Sequence, residues 1–145
     1  ETMPTLEQQR AADAWAKSQR CSEEYMKLAK GLPALIMNSG LLQVMAFLEE
    51  KSRKGQHHCG DLSQHLRAWI QARFARQIER TEFETFMQAL MQADPRTYQD
   101  ITTEALAWLR WLRQMAAARA GGYGGRFPVA RKHSGLGFQT GQRLW

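Results

Sequence analysis

The sequence predicts an all-α protein: a compact bundle of five to six helices followed by an irregular C-terminal tail rich in Gly and Arg. Ala, Leu, Gln, Met and Arg are common whereas Val and Ile are rare, which favours helices over sheets. Apolar residues also recur at spacings of three and four along most of the chain. A chain of 145 residues can bury about two thirds of its unfolded surface in one core, so one domain suffices.

The first helix is predicted from Leu6 to Lys30. Thr5 and Gln8 have the spacing of a capping box, in which each side chain bonds the backbone N–H of the other residue. Apolar and small residues then repeat every three or four positions. We expect Gly31 to end this helix in a left-handed conformation and Pro33 to begin a short second helix.

A second interruption follows at Asn38-Ser39-Gly40, which is expected to end the short helix. The segment Leu41 to Lys51 then reads as a third helix that is apolar on nearly every side, so it should lie centrally. Together the two interruptions predict that one apolar run folds back on itself as a corner. Its pieces could then face several neighbouring helices.

The fourth helix is predicted to follow a polar loop, SRKGQHHCG, over Ser52–Gly60. Asp61 with Gln64 has capping-box spacing, and apolar residues continue at helical spacing as far as Phe74.

Two further helices complete the predicted bundle. Thr81 with Glu84 marks the start of the fifth, and Asp94-Pro95 is expected to turn the chain. The last helix is predicted from about Asp100 to Arg119, with Gly121 and Gly122 ending it.

This pattern divides the chain into a helical bundle domain, 1–119, and a basic tail, 120–145. The first part carries 16 Lys or Arg against 14 acids, whereas the tail carries four basic residues and no acid, out of a net charge of +6. Interleaved Gly, Arg and aromatic residues could contact RNA by stacking and charge, with Arg131 and Lys132 as candidates. The same aromatic residues could equally dock on the bundle or on a partner protein.

No catalytic constellation is evident, so we expect that the protein is not an enzyme and uses no cofactor. The sequence contains no phosphate-binding P-loop, G-x-S-x-G or H-E-x-x-H motif. His57-His58-Cys59 with Asp61 and His65 could supply zinc ligands, but the usual paired spacing is missing and a solvated loop is favoured. Adjacent glutamates such as Glu49-Glu50 point apart on a helix and are expected to be solvated.

Three groups of basic residues are candidates for contact with an RNA backbone. On a continuous helix, Arg73, Arg76 and Arg80 would fall within about 60° of one another and form a ridge. Arginine suits phosphate through its planar fork, and such binding gains from counterion release. Simple surface ion pairs would explain the same residues. The other two groups are Lys51, Arg53 and Lys54, and Lys27 with Lys30.

Location is predicted from what the sequence lacks. Its longest apolar stretch, Leu32 to Leu48, is too short and too interrupted to span a bilayer, so no membrane partner is expected. The N-terminal ETMPTLEQQR has no signal-peptide pattern, and two cysteines do not make a disulfide scaffold. We therefore expect a cytoplasmic protein.

Two blocks of sequence resemble the small all-helical subunit of type III-B CRISPR effectors, the Cmr complex. The first comprises Tyr25, Leu28, Ala29, Lys30, Leu32-Pro33, Ile36, Asn38, Gly40-Leu41, Ala46-Phe47-Leu48 and Lys51. The second comprises Tyr98, Thr103-Glu104-Ala105-Leu106, Trp111-Leu112 and Ala116. The similarity spans about residues 5 to 119, and the tail lies outside the family pattern.

The resemblance implies a non-catalytic role in RNA-guided antiviral defence. In such complexes the small subunits stack on copies of themselves as a minor filament, beside the backbone subunits that hold the guide RNA. Target RNA pairs with the guide between the two filaments, while cleavage and signalling belong to the backbone and large subunits. The alternative is an assembly adapter that binds protein partners through apolar patches and hardly contacts RNA.

Overall fold

The computed structural model describes residues 2–121, which form six α-helices and, within that range, no strands. The all-α prediction is confirmed. The predicted tail lies outside the described residues from Gly122 onward. Between residues 2 and 121, no helix combines the length and the apolar character needed to cross a bilayer. The helices are α1 (Leu6–Lys17), α2 (Glu23–Ser39), α3 (Leu41–Arg53), α4 (His57–Arg73), α5 (Phe83–Gln92) and α6 (Pro95–Gly121).

The longest helix, α6, packs along α1 and α2 and also touches α4. The α3 and α4 helices pack against each other as a hairpin, since only three residues connect them. All six helices contribute to one apolar core. Within the bundle, α2 contacts α3, α4 and α6. The largest fully buried side chains of this core are Trp108, Phe86, Leu32, Ile36, Leu41, Met45, Leu48, Leu62, Leu66, Ile70, Ile78 and Leu90.

The prediction of a single first helix from Leu6 to Lys30 is wrong, because the chain breaks between α1 and α2. Its start is as expected, with the Thr5–Gln8 capping box formed. Ser22 begins α2 by accepting a hydrogen bond from the Tyr25 backbone N–H at 3.0 Å, and Arg20 adopts a positive φ of 57° in the turn. A capping serine followed by two glutamates is a helix-start signal that the regular apolar spacing concealed.

The predicted interruption at Gly31 and Pro33 is also wrong, since α2 runs through both residues. In a helix interior a glycine costs about 1 kcal/mol and a proline about 3 kcal/mol relative to alanine. Burial of Leu32, Leu35 and Ile36 against the core contributes about 1.5–3 kcal/mol for each side chain. Tertiary packing therefore outweighs the local preference to stop.

The interruption at Asn38-Ser39-Gly40 is confirmed. Gly40 lies between α2 and α3 with φ 90° and ψ 155°, a conformation that is costly for any residue with a Cβ. The Tyr98 hydroxyl accepts a hydrogen bond from the Leu42 backbone N–H at 3.1 Å and so caps α3, which lacks a capping side chain of its own. This corner turns the central α3 against its neighbours, as predicted.

The polar loop predicted over Ser52–Gly60 is shorter in the structure. The α3 helix continues to Arg53 and α4 begins at His57, four residues before the predicted capping residue Asp61. Cys59 is buried in the core, and Gly60 lies so close to α3 that an added Cβ would stand 3.2 Å from that of Ser52. Packing of the hairpin thus draws the loop residues into the helix.

The last helix begins at Pro95 rather than at Asp100, directly after the predicted turn. The Asp94 side chain accepts a hydrogen bond from the Thr97 backbone N–H at 2.7 Å, and this bonding lowers the pKa of Asp94. Proline is favoured at the first helical position, where its missing N–H costs nothing. Asp94-Pro95 is therefore a helix start as well as a turn.

Candidate nucleic-acid interface

Eight of the ten predicted RNA-binding residues fall within residues 2–121, and all eight reach the surface. Lys27 and Lys30 are exposed one turn apart on α2. Lys51 is half-buried on α3, with its Nζ 5.5 Å from the centre of the Phe47 ring. The remaining two candidates, Arg131 and Lys132, lie outside the described residues.

The cations at the end of α3 are compensated by acids on the same helix. Arg53 Nε lies 3.2 Å from Glu49 Oε2, and Lys54 Nζ lies 3.0 Å from Glu50 Oε2. The hydrogen bond from Lys54 lowers the pKa of Glu50. Both pairs have the i, i+4 spacing of intrahelical ion pairs, a signal already readable in the sequence. This group offers less net positive charge than its composition suggested.

The arginine ridge predicted on one helix is wrong in its geometry, because α4 ends at Arg73. Arg76 and Arg80 lie on the connection between α4 and α5, and all three arginines are exposed. Phe74 follows the helix with non-helical backbone angles, and the connection then turns inward at Ile78, which is only 1% exposed. The three cations therefore follow one surface connection rather than one helix face.

Arg67, which sequence reasoning missed, ties this connection to α4. Its Nη1 donates to the Thr81 carbonyl at 2.5 Å and its Nε donates to Ser63 Oγ at 3.2 Å. The guanidinium also lies 5.7 Å from the centre of the Phe83 ring. Burial lowers the pKa of Arg67. Thr81 does not cap α5, which begins at Phe83 after Glu82.

Most cations of the predicted set have no ion-pair partner in the described part of the chain. The four ion pairs found there do not include Arg73, Arg76, Lys27 or Lys30. Arg80 shares a shallow surface depression with two acids of the same connection, Glu79 and Glu82. Among the predicted candidates, the positive charge available to a polyanion therefore lies at the end of α4, on the start of the connection after it and on α2.

The residues considered as zinc ligands do not converge. His57 and His58 lie on the first turn of α4, where His57 is exposed and Cys59 points into the core. His65 Nδ1 is 2.7 Å from the Tyr25 hydroxyl. Within residues 2–121, no three His, Cys, Asp or Glu side chains group together as a metal ion would require.

The strongest polar interaction lies inside the bundle rather than on its surface. Glu104 is only 7% exposed and accepts hydrogen bonds from Arg10 Nε and Nη2, both at 2.7 Å, and from Trp69 Nε1 at 2.9 Å. Burial tends to raise the pKa of Glu104, but these hydrogen bonds outweigh it, and the pKa is lowered with help from the nearby Arg73 charge. This contact joins α1, α4 and α6.

Comparison with known protein families matches residues 6–119 to the family described as CRISPR-associated protein (Cas_Cmr5). The matched range begins at the first residue of α1 and ends near the end of α6. No curated protein matches the chain. The resemblance identified in the sequence is confirmed.

Proposed function

This chain belongs to the CRISPR-associated Cas_Cmr5 family, the small subunits of type III-B (Cmr) complexes, and from that premise we propose that it is a non-catalytic RNA-contacting subunit. It acts in the cytoplasm as a rigid helical spacer. Copies stack as a minor filament beside the backbone subunits and the large subunit. Its basic surface faces the guide and target RNA during antiviral defence.

The observation that carries the proposal is a set of exposed surface cations that form no ion pair within residues 2–121. Arg73, Arg76, Lys27 and Lys30 are exposed and belong to none of the ion pairs within residues 2–121. Arginine binds phosphate through a planar fork, and lysine binds it as a point charge. Such groups attract an RNA backbone and release its counterions on binding.

Contacts of this kind carry no base specificity. Phosphate contacts position a protein on a nucleic acid, whereas sequence is read at base edges. A guide-dependent complex delegates sequence recognition to base pairing, so its protein surfaces must accept any sequence. Affinity for single-stranded RNA should accordingly be weak, indifferent to sequence and strongly dependent on salt.

The test is the salt dependence of binding to a labelled single-stranded RNA. Each phosphate contact contributes about 0.7 to the slope of log affinity against log salt for a single strand. We expect the double variant Arg73→Ala/Arg76→Ala to lower the slope by about 1.4, twice that contribution.

The matched control is Arg53→Ala/Lys54→Ala, which also removes two cations but from pairs already neutralised by Glu49 and Glu50. It should change the slope much less. Equal slopes for the wild type and the Arg73/Arg76 variant would remove these arginines from the proposal.

An assembly adapter is the second candidate, favoured by exposed apolar side chains. Met37 on α2 is 75% exposed and Met91 on α5 is 60% exposed. Flexible methionine side chains suit adaptable protein contacts. Mixing with the backbone subunit in the absence of RNA distinguishes the two functions, because an adapter still forms filaments. Met37→Gln and Met91→Gln should then weaken assembly while leaving the salt slope for RNA unchanged.

A further inference from the structure

A second concentration of positive charge lies in a pocket at the end of α1, which the sequence analysis did not indicate. The pocket has a volume of about 450 Å³ and lies where α1 ends, beside α4 and the end of α6. Its lining residues are Ala16, Lys17, Gln19, Arg20, His65 and Arg119. Among these described residues none is acidic, and three carry a permanent positive charge. We refer to it as the α1–α6 pocket.

Arg20 reaches the pocket from the turn after α1. Its φ of 57° makes it the single non-glycine residue with a positive φ among residues 2–121. Glycine or asparagine adopts this conformation more readily than arginine does. The guanidinium of Arg20 is exposed and belongs to no ion pair within the described part of the chain.

Lys17 is held beside it by a carboxylate that faces the core. Lys17 Nζ lies 2.9 Å from Asp13 Oδ1, while Asp13 Oδ2 accepts a hydrogen bond from Trp108 Nε1 at 2.8 Å. Asp13 is thus fixed between α1 and α6 and orients the ammonium group. An ammonium group has three N–H donors, so Lys17 keeps donors for a second acceptor.

Arg119 contributes its guanidinium from α6. The guanidinium carbon lies 3.6 Å from the centre of the Trp15 ring, which covers one face of the planar group. Its Nε is buried and has no hydrogen-bond partner among the described residues. No acid in that part of the chain forms an ion pair with it. A buried donor without an acceptor is costly, and the guanidinium group that carries this donor lines the pocket.

His65 lines the pocket from α4. Burial raises the pKa of Tyr25, whose hydroxyl oxygen lies 2.7 Å from His65 Nδ1. Burial, followed by the Lys17 charge, lowers the pKa of His65, while Asp61 and Asp13 oppose this change. In the neutral tautomer whose Nδ1 accepts the hydrogen of the Tyr25 hydroxyl, Nε2 carries the ring proton and is a donor.

Donors thus converge from α1, the turn after it, α4 and α6. A carboxylate offers two coplanar oxygens, which one arginine fork can satisfy. A tetrahedral oxyanion offers more oxygens in several directions and can accept from several elements at once. We propose that the α1–α6 pocket binds one phosphate group, either free or carried by RNA. The volume exceeds that of a single phosphate and leaves room for an attached ribose.

The first experiment titrates the full-length protein with inorganic phosphate, at constant pH and ionic strength against chloride, and follows backbone amide NMR shifts. We expect saturable shifts centred on residues 16–21, His65 and Arg119. Phosphate is also excluded from protein surfaces as a salt, and this general effect would give amide shifts that do not saturate. Shifts that grow linearly and spread over the bundle would overturn the proposal.

Arg20→Gly is the decisive variant, because glycine suits the positive φ at this position while the guanidinium is removed. Its thermal midpoint should equal or exceed that of the wild type, and its affinity for phosphate should fall at least tenfold. The control variant Arg96→Gln also removes one guanidinium group, but on α6 at roughly 35 Å from Arg119, at about 1.5 Å per residue. It should bind phosphate like the wild type. Unchanged affinity in Arg20→Gly would refute the assignment.

A second arm identifies the source of the phosphate. Short oligouridines are compared with and without a 5′-phosphate, using the same amides as the readout. Shifts from the 5′-hydroxyl oligomer assign the pocket to backbone phosphodiesters, and shifts from the phosphorylated oligomer alone assign it to a terminal or free phosphate. Neither outcome depends on the Arg73/Arg76 surface, so failure here is distinguishable from failure of the proposed RNA contact.

Discussion

At the scale of single residues, the polar contact of greatest consequence for the fold is Glu104 with Arg10 and Trp69. The carboxylate is almost completely buried and accepts three hydrogen bonds, two of them from a residue 94 positions away. A buried charge that loses its partner is strongly destabilising, whereas exposed ion pairs contribute little. Surface and buried pairs should therefore respond very differently to mutation.

Glu104→Gln keeps the shape of the side chain but leaves Arg10 partly buried without its counter-charge. We expect a loss of about 3 kcal/mol in the free energy of unfolding at neutral pH, measured by chemical denaturation. Arg53→Ala, which breaks the exposed pair with Glu49, should cost less than about 1 kcal/mol. Similar losses in the two variants would show that the buried pair contributes nothing beyond a surface pair.

The pH dependence of this loss follows from the lowered pKa of Glu104. A carboxylate whose pKa is lower in the folded than in the unfolded protein stabilises the fold above its unfolded value of 4.5. That contribution disappears as the pH falls through the folded-state value. The gap between the wild type and Glu104→Gln should therefore narrow below pH 4.5, and a gap that stays constant would contradict this explanation.

At the scale of helices, two glycines that look alike in the sequence have opposite roles. Gly31 lies inside α2, is exposed, and an added Cβ there would meet no atom within 4 Å. Gly40 lies between α2 and α3 with a φ of 90°. The local sequence predicts that both end a helix, and only the second does.

The same substitution at these two positions should change stability in opposite directions. Gly31→Ala should raise the free energy of unfolding by about 0.5–1 kcal/mol, because alanine loses less backbone entropy in a helix. Gly40→Ala should lower it by about 1–3 kcal/mol, because alanine is strained at this φ and ψ. Thermal unfolding of both variants checks the pair, and a stabilising Gly40→Ala would refute the assigned conformation.

The helix scale also shows how far the candidate interface can be read from sequence. Compensation of Arg53 and Lys54 was predictable, because glutamates precede them by four residues. The end of α4 at Arg73 lies one residue before Phe74, the last apolar position that the spacing assigned to this helix, whereas the ridge required the helix to continue to Arg80. The predicted ridge of Arg73, Arg76 and Arg80 is wrong because it assumed that all three lie on one continuous helix.

At the scale of the whole molecule, three sets of basic residues are candidates for contact with RNA. Two lie on the described bundle: the end of α4 with α2, and the α1–α6 pocket. The third is the segment after Gly121, which carries four of the basic residues in a chain of net charge +6. Their relative contributions to RNA binding can be separated by deletion.

Removing residues 122–145 should lower the salt slope for single-stranded RNA by about 0.7 for every phosphate that the shortened protein no longer binds. The control is the full-length Arg131→Ala/Lys132→Ala variant, which tests whether these two cations account for the change. An unchanged slope after deletion would leave RNA binding entirely to the bundle and would withdraw Arg131 and Lys132 as candidates.

By itself the sequence determined the helical class, the corner at Gly40 and membership of the family. The first two follow from composition, from apolar spacing and from one backbone conformation that only glycine adopts readily, all of which act over short stretches. The third follows from the resemblance of two sequence blocks to the family. Only the tertiary structure decided that α2 continues through Gly31 and Pro33, that Arg10 meets Glu104, and that Lys17, Arg20 and Arg119 surround one pocket. These features depend on residues that are distant from one another along the chain. Burial of side chains against the core outweighs by several kcal/mol the local preference of residues such as Gly31 and Pro33 to end a helix.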